Sequence, residues 1–134
     1  MSNDNRGMHN KHLDSLIREV GEDVRGDLGF WEFSLNGRRL CCMTDESHDR
    51  MRVMTPIADL SDVSAEQLQT CLEANFDRAL DARYCLNEDT LWGAFIHPLS
   101  SLHASLFRSA CRQVVNIAVH FGDSYSSGEL RFGS

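Results

Sequence analysis

The apolar positions of this chain change period along its length, and each change marks a new element. Between Met8 and Val24, the residues Leu13, Leu16, Ile17, Val20 and Val24 recur at helical spacing, while Asp14, Arg18, Glu19, Glu22 and Asp23 take the other faces. This predicts an amphipathic first helix, ended by Gly26 and Gly29. FWEFSL (30–35) and RRLCCMT (38–44) then flank Asn36-Gly37, a dipeptide suited to a two-residue hairpin because both positions accept a positive φ. Beyond the polar turn DESHD (45–49), Met51, Val53, Thr55 and Ile57 alternate with Arg50, Arg52 and Met54. The spacing predicts a three-stranded meander.

Ser64 and Gln67 form a capping-box signature, which starts a second helix with Leu68, Cys71, Leu72, Phe76 and Ala79 as its buried stripe, ending near Leu80. ARYCL (82–86), a polar turn at 87–89 and TLWGAFIH (90–97) read as a second hairpin, closed by Pro98. A long helix from Ser101 to Phe121 buries Leu102, Leu106, Phe107, Ala110, Val114, Ile117 and Phe121, with Cys111, Val115 and Ala118 widening the stripe; Gly122 ends it. The fold class expected is α+β, in the order α-β-β-β-α-β-β-α, with an antiparallel sheet packed against helices. One domain spans 1–134, with an ordered body over 8–122 and a flexible serine- and glycine-rich tail over 123–134.

Composition narrows the function classes. At 134 residues, 42% hydrophobic and 25% charged with 2 prolines, the chain can bury a core without metal or disulfide support. Its net charge of -7 repels phosphate backbones and anionic membranes, and its twelve arginines and the lone Lys11 form no basic stripe. Neither nucleic acid nor membrane is an expected partner. The polar segment MSNDNRGMHNKH lacks a signal-type apolar run, and nowhere do eighteen apolar residues follow one another, so a cytoplasmic location is expected.

The residue patterns of catalysis fit poorly. The five cysteines are an odd number set in apolar runs, and read as reduced core residues. Cys41 and Cys42, consecutive on a strand, point to opposite faces. His9 and His12 share a helix face, yet nothing nearby completes a set of four metal ligands. A nucleophile–base pair such as Cys85 with His97 stays open, although no strained turn or glycine-rich oxyanion segment surrounds either. No phosphate-binding or zinc-protease motif occurs. No cofactor, metal or catalytic residue is expected.

The excess lies in apolar strand surface. Trp31, Phe33 and Leu35 share one face of their strand and Phe30 the other; in the last hairpin Trp92, Ala94 and Ile96 oppose Leu91, Phe95 and His97. One face serves the helices. The other is either an ordinary sandwich side or a surface for an oligomer or a peptide.

The order of elements resembles that of the class I type III secretion chaperones, the Tir chaperone family. The local similarity is carried by DARYCLNEDTLWGAFIHPL (81–99), where a short strand, a polar turn and a strand opening on leucine follow the second helix, with the long helix next. The resemblance covers roughly 13–121. It implies a homodimer that holds an extended segment of a secreted or other partner protein without catalysis. The apolar excess of the first helix and strand suggests peptide binding at Leu13, Leu16, Ile17, Val20, Trp31 and Phe33, with main-chain pairing at a strand edge, and the resemblance implies a dimer interface that draws on Leu68, Leu72 and Phe76 or on Leu91, Trp92 and Ile96. Two alternatives stay open: a small enzyme or ligand-binding domain using a Cys/His pocket, and a chaperone-like regulator with no secretion role.

Overall fold

The computed structural model describes residues 8–77 and 80–122. Helix α1 (Asn10–Val20) is followed by four strands, β1 (Glu22–Asp27), β2 (Phe30–Leu35), β3 (Arg38–Asp45) and β4 (Arg50–Asp59). Helix α2 (Ala65–Asp77), β5 (Arg83–Asn87), β6 (Thr90–His97) and α3 (Ala104–His120) complete the order. The six strands form one antiparallel sheet, β1-β2-β3-β4-β6-β5, so the last hairpin docks through β6 against β4. The fold class is α+β. The expected 123–134 tail and Ala79 lie outside the described residues.

One strand was not expected. The first helix stops at Gly21 rather than continuing to Val24, and Glu22–Asp27 pairs with β2, turning three strands into a four-stranded meander. The cause is local: a Cβ at position 21 would stand 2.5 Å from Cδ2 of Phe33, so the chain turns there only because glycine leaves room for the ring. Val24, four residues after Val20, mimics the next helical position but packs on the core from the strand. Gly26, at φ +89, sits within β1 instead of ending a helix.

The other local signals hold. Asn36 and Gly37 both take positive φ between β2 and β3. At the start of α2, Ser64 N–H donates to Gln67 Oε1 at 2.9 Å, and Gln67 N–H donates to Ser64 Oγ at 3.0 Å. In β4, Met51, Val53 and Thr55 are buried between exposed Arg50 and Arg52. Helix α3 carries the broad stripe because it is the central core helix: Phe107, Ala110, Cys111, Val114, Val115, Ile117 and Ala118 are all buried.

The helix-facing side of the sheet and the helices enclose one core. Leu13, Leu16 and Ile17 from α1 meet Trp31 and Phe33 from β2, Leu40 and Cys42 from β3, and Leu91 and Phe95 from β6. Polar pins tie it down. The Trp31 indole N–H donates to Asp14 Oδ1 at 2.9 Å, and Gln113 Oε1 accepts the backbone N–H groups of Asp81 (2.8 Å) and Ala82 (3.0 Å).

Asp14→Ala removes the acceptor of a buried indole, and should lower stability in urea unfolding by about 1–3 kcal/mol. Hydrogen bonds from Arg18 and Trp31 hold the Asp14 carboxyl below its ordinary 3.8. The contribution is therefore complete above about pH 4 and fades as pH falls through the lowered value, a slope the alanine variant should lack.

Candidate functional site

The structure moves the expected peptide site indoors. Leu13, Leu16, Ile17, Trp31 and Phe33 are buried in the core, and Val20 is half-buried against it. This corrects the sequence reading: those side chains are the stripe that α1 and β2 use on each other, and a peptide could reach them only by opening the fold.

The dimer residues divide. Leu91 is buried on the helix-facing side and Trp92 is half-buried on the other. Leu68 is half-buried, whereas Leu72 is 68% and Phe76 94% exposed, and Ile96 is 51% exposed. The buried stripe of α2 is Cys71 and Ala74 rather than Leu72 and Phe76. Leu68 packs against the core from the first turn of α2, while Leu72 and Phe76, one turn apart, point away from it.

A second uncovered surface lies on the sheet face opposite α1 and α3. Register places Phe30 beside Met43, Met43 beside Arg52 and Arg52 beside Ile96, one row across β2, β3, β4 and β6. Phe30 (49%) and Ile96 are exposed, Arg52 is exposed and Met43 is half-buried. The next row holds Glu32, Cys41, Met54, Ala94 and Arg83. An open cavity of about 430 Å³ adjoins the first row, lined by Met43, Thr44, Asp45, His48, Arg50 and Arg52. In it the Asp45 carboxylate is engaged by Ser47 Oγ at 2.7 Å and His48 Nδ1 at 2.9 Å, which hold its pKa down to about 2.

Sequence reading missed Met43, Arg52 and Met54 as surface candidates, because each is an ordinary member of an alternating strand. Only register brings them together. The one signal available was the apolar tilt of both faces of the last hairpin.

Neither sheet edge is bare. On β5, Asn75 of α2 donates to Tyr84 O at 3.0 Å and accepts Tyr84 N–H at 2.8 Å, using up both outward backbone groups of that residue. On β1 the ladder is bulged between Glu22 and Arg25, Arg18 donates to Gly26 O at 3.1 Å and Arg39 to Asp23 O at 2.8 Å. Charge, a bulge and capped carbonyls are how edges resist added strands. A strand added at either edge would meet these occupied groups at Tyr84, Asp23 and Gly26, whereas the uncovered faces carry no such obstacle.

The thiols form no reactive cluster. Cys41 and Cys42 do face opposite ways, with Cys42 buried and Cys41 half-buried. Cys85 stands opposite Trp92, five residues along β6 from His97, roughly 16 Å at strand rise, and on the other face. Burial pushes every thiol upward, Cys71 to about 11 and Cys111 to about 12, away from the thiolate that nucleophilic chemistry needs. His9 Nδ1 accepts the His12 N–H at 3.3 Å as the cap of α1.

Two solved structures share this architecture. A chain of the HopA1–SchA chaperone–effector complex superposes with a TM-score of 0.64 at 13% identity, over 84% of this chain and 91% of that one. The fold is type III secretion chaperone-like. A chain of the Yersinia pestis complex of the type III secretion chaperone SycH with a stable fragment of YscM2 gives a TM-score of 0.59 at 18% identity, over 81% and 98%. No family model matches the chain, and no curated protein does. No helix among the described residues is long and apolar enough to cross a membrane.

Alkylation with iodoacetamide at pH 8 should label Cys41 and Cys85 slowly and leave Cys42, Cys71 and Cys111 untouched until the chain unfolds. Cys111→Ser should cost about 1–3 kcal/mol through a buried hydroxyl. Rapid labelling of a buried thiol in the native protein would contradict the packing described.

Proposed function

We propose that this chain is a non-catalytic protein-binding module of the type III secretion chaperone kind, working in the cytoplasm as a homodimer. The observation that carries the reading is the pair of uncovered apolar surfaces, Leu72 and Phe76 on α2 and the Phe30–Met43–Ile96 row on the sheet, in a fold shared with chains from chaperone complexes. A phenylalanine almost wholly in water, one turn from an exposed leucine, is costly to leave exposed and is the ordinary anchor of a protein interface.

The two surfaces have separate roles. Leu72 and Phe76 of α2 pair two copies, with Leu91 excluded because it belongs to the core. The open sheet face takes an extended segment of a partner, a secreted effector or another protein. Ile96, which the resemblance assigns to the dimer, lies in that row and is read here as part of the partner surface. The upward-shifted thiols and the distance between Cys85 and His97 support binding over chemistry. The acidic balance of the chain supports a protein partner over nucleic acid or membrane.

Sedimentation equilibrium at micromolar concentration should give twice the monomer mass, and Phe76→Glu should give a folded monomer with an unchanged circular dichroism spectrum. A wild-type monomer persisting at high concentration would sink the dimer. A dimer that ignores Phe76→Glu would move its interface off α2.

A further inference from the structure

The row on the open sheet face has a charge in it, and that charge is free. Arg52 stands between Met43 on β3 and Ile96 on β6, with Phe30 beyond Met43. Arg52 takes part in none of the ion pairs formed by the described residues, among them Arg18–Asp14, Arg39–Asp23, His48–Asp45 and Arg108–Glu19. Arg50 also lacks an ion pair, but its charge acts on Asp49 and it faces Asp45 across the ladder, so acids of its own chain already balance it. Asp45 lines the same cavity as Arg52, but its carboxylate is engaged by Ser47 and His48, and Glu32 sits in the next row, on a strand two removed from Arg52. The chain thus exposes an unpaired guanidinium flanked by apolar side chains, although its net charge is -7.

We propose that this row recognises an extended partner segment in which an acidic residue stands between two apolar ones, in the pattern apolar-x-acidic-x-apolar. The inference rests on the protein-binding reading above and names what the sheet face selects. Two observations carry it. The first is charge complementarity: a carboxylate beside Arg52 gains a contact that a neutral or basic residue cannot, and a guanidinium favours planar carboxylates. The second is length. Four neighbouring strands set Phe30 and Ile96 about 14 Å apart, while the first and last inward side chains of a five-residue extended segment, i and i+4, are about 13–14 Å apart.

A second copy of this chain fits the face less well. A two-fold contact centred on this row would set Arg52 toward Arg52, since residues on the axis meet their own equivalents. The general negative charge of the body does not prevent the contact, since it is screened beyond about 10 Å while Arg52 acts at contact.

The test uses the full chain and three synthetic 11-residue peptides with the cores Leu-Ser-Asp-Ser-Leu, Leu-Ser-Asn-Ser-Leu and Leu-Ser-Lys-Ser-Leu, titrated into isotope-labelled protein and followed by proton–nitrogen correlation spectra. The Asp peptide should shift the amides of Phe30, Met43, Arg52 and Ile96 and bind roughly fivefold more tightly than the Lys peptide, the scale of one exposed ion pair. Arg52→Gln, an exposed substitution, should abolish that preference while leaving the rest of the spectrum in place. Shifts on this row with equal affinity for all three peptides, or a preference that survives Arg52→Gln, would overturn the acidic selectivity and leave the protein-binding surface standing. No shift on the row with any peptide would overturn both. Dissociation of the dimer by Arg52→Glu would show the row to be a subunit interface and overturn the inference.

Discussion

Helix α3 lies so close to β6 at Gly93 that a Cβ there would meet Cδ1 and Cγ1 of Ile117 at 3.1 Å and the Val114 carbonyl oxygen at 3.5 Å. That approach sets the helix on the sheet, and much else is attached to the helix. Tyr84 on β5 donates its hydroxyl to Ile117 O at 2.6 Å, Gln113 holds the turn before β5, and Arg108 pairs with Glu19 of α1. The β5–β6 hairpin, the segment leading into it and α1 are thus referred to one rod. Because α1 joins α3 on the same side, the hydrophobic stripes of both are spent on one sheet face.

This sidedness determines what remains for partners. A sheet six strands wide, with α1 and α3 on one face, leaves the other face to water, where Phe30, Met43 and Ile96 are more apolar than solvation alone explains. Helix α2 contacts β5 at the far end, and its small residues Cys71 and Ala74 let it sit close while Leu72 and Phe76 are turned outward. Blunted edges complete the arrangement. With Asn75 satisfying Tyr84 on one edge and arginines capping carbonyls on the other, association is steered toward faces, where side chains rather than backbone set selectivity.

Much of the local structure was legible in the sequence because the signals are short-range and have a mechanism. Asn36-Gly37 needs positive φ, Ser64 and Gln67 satisfy each other's backbone, and the alternation from Met51 to Thr55 is a half-buried strand. β1 was not legible, since in EDVRGD only Val24 touches the core and its spacing from Val20 imitates another helical turn. The meeting of β4 with β6 is a long-range fact that no local pattern encodes. The candidate site failed for a related reason: counting apolar residues on α1 and β2 could not tell a stripe that closes on its neighbour from one left open. Leu13 and Trp31 are the core itself, while Arg52 reads as a solvated strand position until register sets it between Met43 and Ile96.

The central claim is that the α1-facing side is a closed core and the opposite face is open in the free protein. Solvent paramagnetic relaxation with a neutral gadolinium chelate tests it most directly on side-chain and amide signals. The account predicts strong relaxation at Phe30, Arg52 and Ile96 and almost none at Leu13, Ile17, Trp31 and Phe33. Relaxation at the second set, or shielding of the first in the free protein, would contradict it.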